Sequence, residues 1–337
     1  MVLAHALAVV LTLVTVAGCG AEAEVAVEPD RPRPAKLVLA GDGEMWVVDV
    51  AAERARHVRM RELAPGDPDH RVVWRGDRFV FWGYATYTAA EPGEPLERIA
   101  GDTWFFIPSA HRDRVWVTVL DPSSPATVNA LKAVREIAVD GRVTVPDVEP
   151  PGGRWPQGAV TSGLLFYRDR GWSVWDPRTG EDVSRLDLGG PLGPSHGDTI
   201  ASCAAEPCVE LWLTDARTGR RRVAHAPQGK AFQLWAAAFS PDGRRLAAPV
   251  NDASASPSDA PADLALVDVR SLEIQIVPGS TVSPYYVFTA WSAEGDQVFI
   301  TGGERFKPRT IVAYRLGDRT ARTLDIEVGD FYDMAAR

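Results

Sequence analysis

Residues Ala236–Val250 read AAAFSPDGRRLAAPV. Two short apolar runs flank Ser-Pro-Asp-Gly, in which proline presets φ and glycine accepts a left-handed backbone. The stretch predicts strand, tight turn, strand. Thr289–Thr301, TAWSAEGDQVFIT, repeats the arrangement, and Arg71–Gly83, RVVWRGDRFVFWG, is a shortened version. Trp74, Phe239 and Trp291 fall at the same point of the three copies and are expected in the core.

A second phrase recurs beside the first. Glu44–Val50 (EMWVVDV), Gly171–Asp176 (GWSVWD), Glu210–Asp215 (ELWLTD) and Asp263–Val269 (DLALVDV) are strand-like runs that end near aspartate. Turns such as Pro177-Arg178-Thr179-Gly180 and Ala216-Arg217-Thr218-Gly219 follow, and then a basic or mixed strand, as in Ala55–Met60, Asp182–Leu188, Arg220–Ala226 and Glu273–Val277. Val134–Val139 with Arg142–Val145, and Thr310–Leu316 with Ala321–Ile326, are further copies. Val, Ile, Phe and Trp dominate these runs, and no long helical period occurs anywhere. Between residues 45 and 310 the unit recurs at intervals of about 44 residues, the length of a four-stranded propeller blade.

The prediction is an all-β, seven-bladed β-propeller over residues 36–337; six or eight blades, or an open solenoid, are the alternatives. The second blade, near residues 70–100, is the hardest to assign because the Pro-rich Thr88–Glu97 obscures its third strand. The first blade has only three strands in Leu37–Met60, and Val328–Ala336 (VGDFYDMAA) reads as an innermost strand. The C-terminus is therefore expected to complete blade 1 and close the ring, which removes an open sheet edge.

Phe239-Ser240-Pro241-Asp242-Gly243, followed by Arg244-Arg245-Leu246-Ala247, resembles the WD40-like (PD40) propeller repeat of TolB-type periplasmic proteins. The match is partial at Ser292-Ala293-Glu294-Gly295 and faint elsewhere. The resemblance implies architecture and partner binding within the cell envelope, and carries no catalytic residues. The serial Gly-His and Trp-Asp signature of eukaryotic WD40 repeats is missing, Trp175-Asp176 being a single occurrence.

The N-terminus speaks to location. Val2–Gly18 has no charged side chain, short for a bilayer span and suited to a secretory signal. Val16-Ala17-Gly18-Cys19 resembles a bacterial lipobox, which implies cleavage before Cys19 and lipidation of its thiol. Buried acyl chains at about 0.8 kcal/mol per methylene would hold the chain at a membrane. The expected organisation is a signal peptide over 1–18, a lipidated cysteine and flexible tether over 19–35, and the propeller over 36–337, placed outside the cytoplasm.

Cys203 and Cys208 remain, in TIASCAAEPCV (Thr199–Val209), where two strand-like runs flank a four-residue connection. In an oxidising compartment they are expected to form a disulfide, with free thiols as the alternative. No nearby histidine or cysteine completes a metal set.

The net charge of −9 gives phosphate backbones no general attraction, so nucleic acid is not an expected partner. HExxH, paired CxxC and Walker-type motifs are missing. The histidines (His5, His57, His70, His111, His196 and His225) show no ligand spacing. No catalytic residue, metal or cofactor is assigned.

In a propeller, connections between the second and third strands of a blade share a face with those that enter each blade. The long insertions Asp121–Ala133, Pro249–Ala262 and Gly302–Arg309 fall on that face, whereas the other connections are tight. Long loops on a rigid scaffold are where binding groups usually lie. Residues at the start of the innermost strands should ring the central opening there: His70, Trp104, Trp155, Gln157, Phe232, Gln233, Tyr285, Tyr286, Phe331 and Tyr332. Aromatic groups of this kind suit a concave pocket, although packing between blades is the competing role. The expected function is non-catalytic binding, by a monomer, of an envelope or extracellular protein, a small molecule or a glycan. A lyase or hydrolase acting on sugar or peptide in the central pocket is the alternative.

Overall fold

The computed structural model describes residues 35–41, 44–59, 72–83, 85–101, 103–121, 131–168, 171–256, 259–303, 309–329, 331 and 333–337. The proposed signal peptide, Cys19 and most of the tether lie outside them, as do His70 and Tyr332. What is described is a ring of seven antiparallel sheets.

Blade 1 takes its inner strand from Asp333–Ala336 and continues through Lys36–Ala40, Glu44–Asp49 and Arg54–Arg59. Blade 2 runs Val72–Arg75, Arg78–Trp82, Thr86–Ala89 and Glu97–Ala100; the obscured third strand is present and short. Blade 3 runs Thr103–Pro108, Arg114–Leu120, Leu131–Ala138 and Val143–Val148, and blade 4 runs Gly158–Val160, Gly163–Arg168, Gly171–Asp176 and Glu181–Leu186. Blade 5 comprises Leu192–His196, Thr199–Cys203, Glu210–Asp215 and Arg221–His225. Blade 6 has a divided inner strand, Lys230–Phe232 and Ala238–Phe239, then Arg245–Asp252, Asp263–Asp268 and Ile274–Ile276. Blade 7 is Tyr285–Trp291, Gln297–Gly303, Thr310–Arg315 and Arg322–Thr323.

Strand composition follows from this stacking. Successive side chains point to opposite faces of a sheet, and each blade has a neighbour on both faces. Leu37 and Leu39 pack with Phe299 and Ile311 of blade 7, while Val38 and Ala40 between them pack with Phe79 and Phe81 of blade 2. Hence the middle strands are continuous apolar runs. Outer strands face water and are polar: in Arg54–Arg59, RARHVR, only Val58 is buried. Each of the seven junctions between adjacent blades holds one of the buried apolar clusters of the described residues.

Polar ties cross the same junctions. Trp82 Nε1 donates to Thr103 O at 3.0 Å, Ser195 Oγ to Ala159 O at 2.7 Å and Trp291 Nε1 to Ala238 O at 3.0 Å. Closure is by main chain: Leu37 pairs with Ala336 and Leu39 with Met334, and Lys36 and Arg337 exchange two hydrogen bonds of 2.9 Å. On the loop-bearing face, Cys203 and Cys208 form a disulfide across the blade 5 connection, with Cα atoms 5.3 Å apart.

Candidate functional site

The inner strands of all seven blades surround one central cavity of about 1140 Å³. Its two ends differ, because antiparallel connectivity places the start of every inner strand on the loop-bearing face and its end on the tight-turn face.

The loop-bearing mouth carries tryptophans. Trp104, at the start of blade 3, is 46% exposed and tilts against Trp82 with ring centroids 6.2 Å apart. Trp155, just ahead of blade 4, is half-buried and 5.4 Å from the Phe105 ring. Trp235 is 57% exposed and meets Phe288 edge-on at 6.4 Å. All three line the cavity, as does the exposed Gln157.

Of the residues expected to ring the opening, the structure thus brings Trp104, Trp155 and Gln157 to the cavity wall. Phe232 and Gln233 are buried, Phe232 in the core between blades 5 and 6. Phe331 is fully buried between blades 1 and 7, where the Arg309 guanidinium lies over its ring at 4.7 Å. Tyr285 and Tyr286 begin the inner strand of blade 7. Trp235 takes the mouth position in blade 6 because the inner strand breaks there. Leu234–Ala236 forms a 3-10 turn between its two halves, which carries the chain past Phe232 before the wall resumes at Ala238.

The tight-turn end is built by the sequence phrase itself. In Ser240–Arg245 the Gly243 amide donates to Ser240 O at 2.8 Å, and Arg245 N donates to Ser240 Oγ at 3.0 Å. Arg244 N donates to Asp242 Oδ1 at 3.0 Å. Gly243 has φ of +69°, and a Cβ there would sit 2.4 Å from the His196 ring. Glycine therefore serves both the turn and the close approach of His196 from blade 5.

Around that end lie Arg75, closing blade 2's inner strand, Arg112 on the first turn of blade 3, and His196. Arg112 Nη2 reaches across the opening to donate to Pro241 O of blade 6 at 2.6 Å. Burial holds the His196 imidazole below its ordinary range; Arg112 and Arg75 push the same way, and Asp242 opposes them. Burial, with no carboxylate to offset it, pulls Arg75 down to about 10, so it keeps its charge at neutral pH.

Comparisons with known proteins bear on the fold alone. A functionally unknown protein from Desulfotomaculum acetoxidans superposes with a TM-score of 0.55 at 9% identity, over 89% of this chain and 98% of that one. A chain of the mitotic checkpoint complex is similar with a TM-score of 0.51 at 13% identity, over 84% of each chain. TolB from Acinetobacter baumannii is similar with a TM-score of 0.48 at 14% identity, over 90% of this chain and 82% of that one. No protein-family model and no curated protein matches the sequence. The shared feature is the propeller.

The wall of the cavity offers indole faces, main-chain groups, two guanidinium groups and one imidazole. Such a set holds a ligand by stacking and by hydrogen-bond donation.

Proposed function

We propose that this chain is a lipid-anchored, extracytoplasmic propeller that binds an envelope or extracellular partner, or a small molecule or glycan, in its central channel without chemical conversion. The observation that carries the reading is the tryptophan-rimmed channel of about 1140 Å³ lined by every blade. Large indole surfaces left open to water at a concave mouth are costly unless something covers them. Two further features support the address. Val16-Ala17-Gly18-Cys19 supplies the lipidation site, and the Cys203–Cys208 disulfide suits an oxidising compartment. The protein works as a monomer: closure of the ring pairs the inner edge of blade 1, and the edges that remain are short, polar outer strands.

In-cell crosslinking of the mature protein, followed by mass spectrometry, tests binding; fractionation of Cys19→Ala tests the anchor. A specific partner and release of the variant from the membrane fraction are expected. No specific partner, or a Cys19→Ala protein that stays membrane-bound intact, contradicts the corresponding half of the reading.

A further inference from the structure

The protein carries a net charge of −9, yet no aspartate or glutamate is among the described residues that line the channel. The ionisable groups of that wall are Arg75, Arg112 and His196, gathered at the tight-turn end. This polarity runs against the composition of the chain.

Arg75 is the informative residue. No hydrogen bond or ion pair joins its guanidinium to another described group, and its Nε is shielded from water without a partner. Arginine has five N–H donors in a fixed fork and does not deprotonate in proteins. A sheltered guanidinium with an unused donor costs folding free energy unless an acceptor occupies the site. Arg112 spends one N–H on Pro241 O and keeps others available. The adjoining His196 brings no negative charge. Asp242, whose charge reaches His196, lies outside the lining and accepts from Ser240 Oγ and Arg244 N, so the lining of the floor itself holds donors without an anion.

We propose that the floor of the channel binds an oxyanion, a carboxylate or phosphate held by Arg75 and Arg112, whose apolar or aromatic body extends toward the tryptophan mouth. Charge-assisted bonds to a planar fork supply affinity and orientation for such a group. The apolar wall between floor and mouth, which includes Val73, Ile107, Leu192 and Ala290, suits the body. The proposal rests on the channel being the binding site, and adds the chemistry of what enters it.

The test is thermal shift and calorimetry in low-salt, phosphate-free buffer. The probes are 3-phenylpropionate, its neutral amide and inorganic phosphate, each to on the order of 10 mM, a range that captures weak binding. Saturable stabilisation by 3-phenylpropionate and none by the amide is expected. Response to both 3-phenylpropionate and phosphate identifies an anion site indifferent to the body; response to 3-phenylpropionate and not to phosphate shows that the body contributes. Either outcome supports the oxyanion site.

Arg75→Met and Arg112→Met should each weaken binding by about tenfold or more, whereas Arg185→Met, an exposed residue of blade 4's outer strand, should not. A further readout separates ligand binding from a structural role: without ligand, Arg75→Met should melt no lower than the parent chain, because it removes an unpaired buried charge. Should Arg75→Met fail to fold, a structural role is shown for Arg75 and the proposal falls. Equal responses to acid and amide, no response to any probe, or equal losses in Arg185→Met also overturn it. Specific in-cell crosslinks at the mouth alongside such a failure would leave the channel reading standing and remove only the oxyanion.

Discussion

The aspartates that end the third strands show how single residues shape this fold. Asp215 Oδ1 accepts from Arg217 N at 3.1 Å, from Thr218 N at 2.8 Å and from Thr218 Oγ1 at 2.8 Å. Asp268 does the same with Arg270 N, Ser271 N and Ser271 Oγ. These side chains take up the donors of the following turn, which is why the phrase recurs with aspartate rather than any polar residue. Both carboxyls are held below their usual range, Asp215 first by the Thr218 hydroxyl and Asp268 first by the Ser271 amide. A depressed carboxyl stabilises the fold above its unfolded value, here 3.8, and that stabilisation is lost as pH falls through the lower folded value. Melting temperature should therefore be level near neutrality and decline below about pH 4. Asp215→Asn with Asp268→Asn should flatten that acid limb, and an unchanged limb would contradict the assignment. Glu136, 1% exposed, is a different case. It accepts from Ser109 Oγ at 2.7 Å and Thr144 Oγ1 at 2.8 Å, and pairs with Arg114 of its own blade and Arg178 of blade 4. Breaking a buried pair costs about 3–5 kcal/mol, but both arginines keep access to water here, so Glu136→Ala should cost about 2 kcal/mol in urea unfolding.

At the level of the element, what was legible in the sequence depended on how local the cause is. The Ser240–Gly243 turn and the Asp-ended strands could be read because their hydrogen bonds close within a few residues. Trp104 and Trp155 could be placed at the mouth because a regular inner strand begins beside each. Trp235 could not, because the turn at Leu234–Ala236 divides an inner strand that apolar patterning makes continuous. Arg75, Arg112 and His196 were equally hidden: in a chain rich in arginine, only the curvature of the ring shows that blades 2, 3 and 5 bring these together. The disulfide belongs to this scale as well. It closes a short loop, so removing it with Cys203→Ala and Cys208→Ala should cost only about 2 kcal/mol. The expected result is a melting temperature lower by several degrees with the propeller retained; collapse of the fold would show that the bridge does more than close one connection.

The whole molecule depends on closure. Blade faces pack only against those of their neighbours, so the ring is sound only if the first and last also meet, and the chain achieves this by lending Asp333–Ala336 to blade 1. Arg322 and Glu53 reinforce that join from the outside, with Asp325 N donating to Glu53 Oε2 at 3.1 Å. Deleting residues 331–337 should expose the edge of Lys36–Ala40 and leave Leu37 and Val38 without their partners. Oligomers by size exclusion and a lost cooperative transition are expected; a monomer with unchanged melting would contradict closure as the source of stability. Closure also creates the channel, whose mouth and floor no single blade contains. The most direct measurement of its role is site-resolved photocrosslinking in the native host, with the reactive group at Trp235 on the mouth or at Val183 on the outer strand of blade 4. Binding through the channel predicts a discrete adduct from position 235 and none from position 183. The same adducts from both positions, or none from position 235, would contradict it.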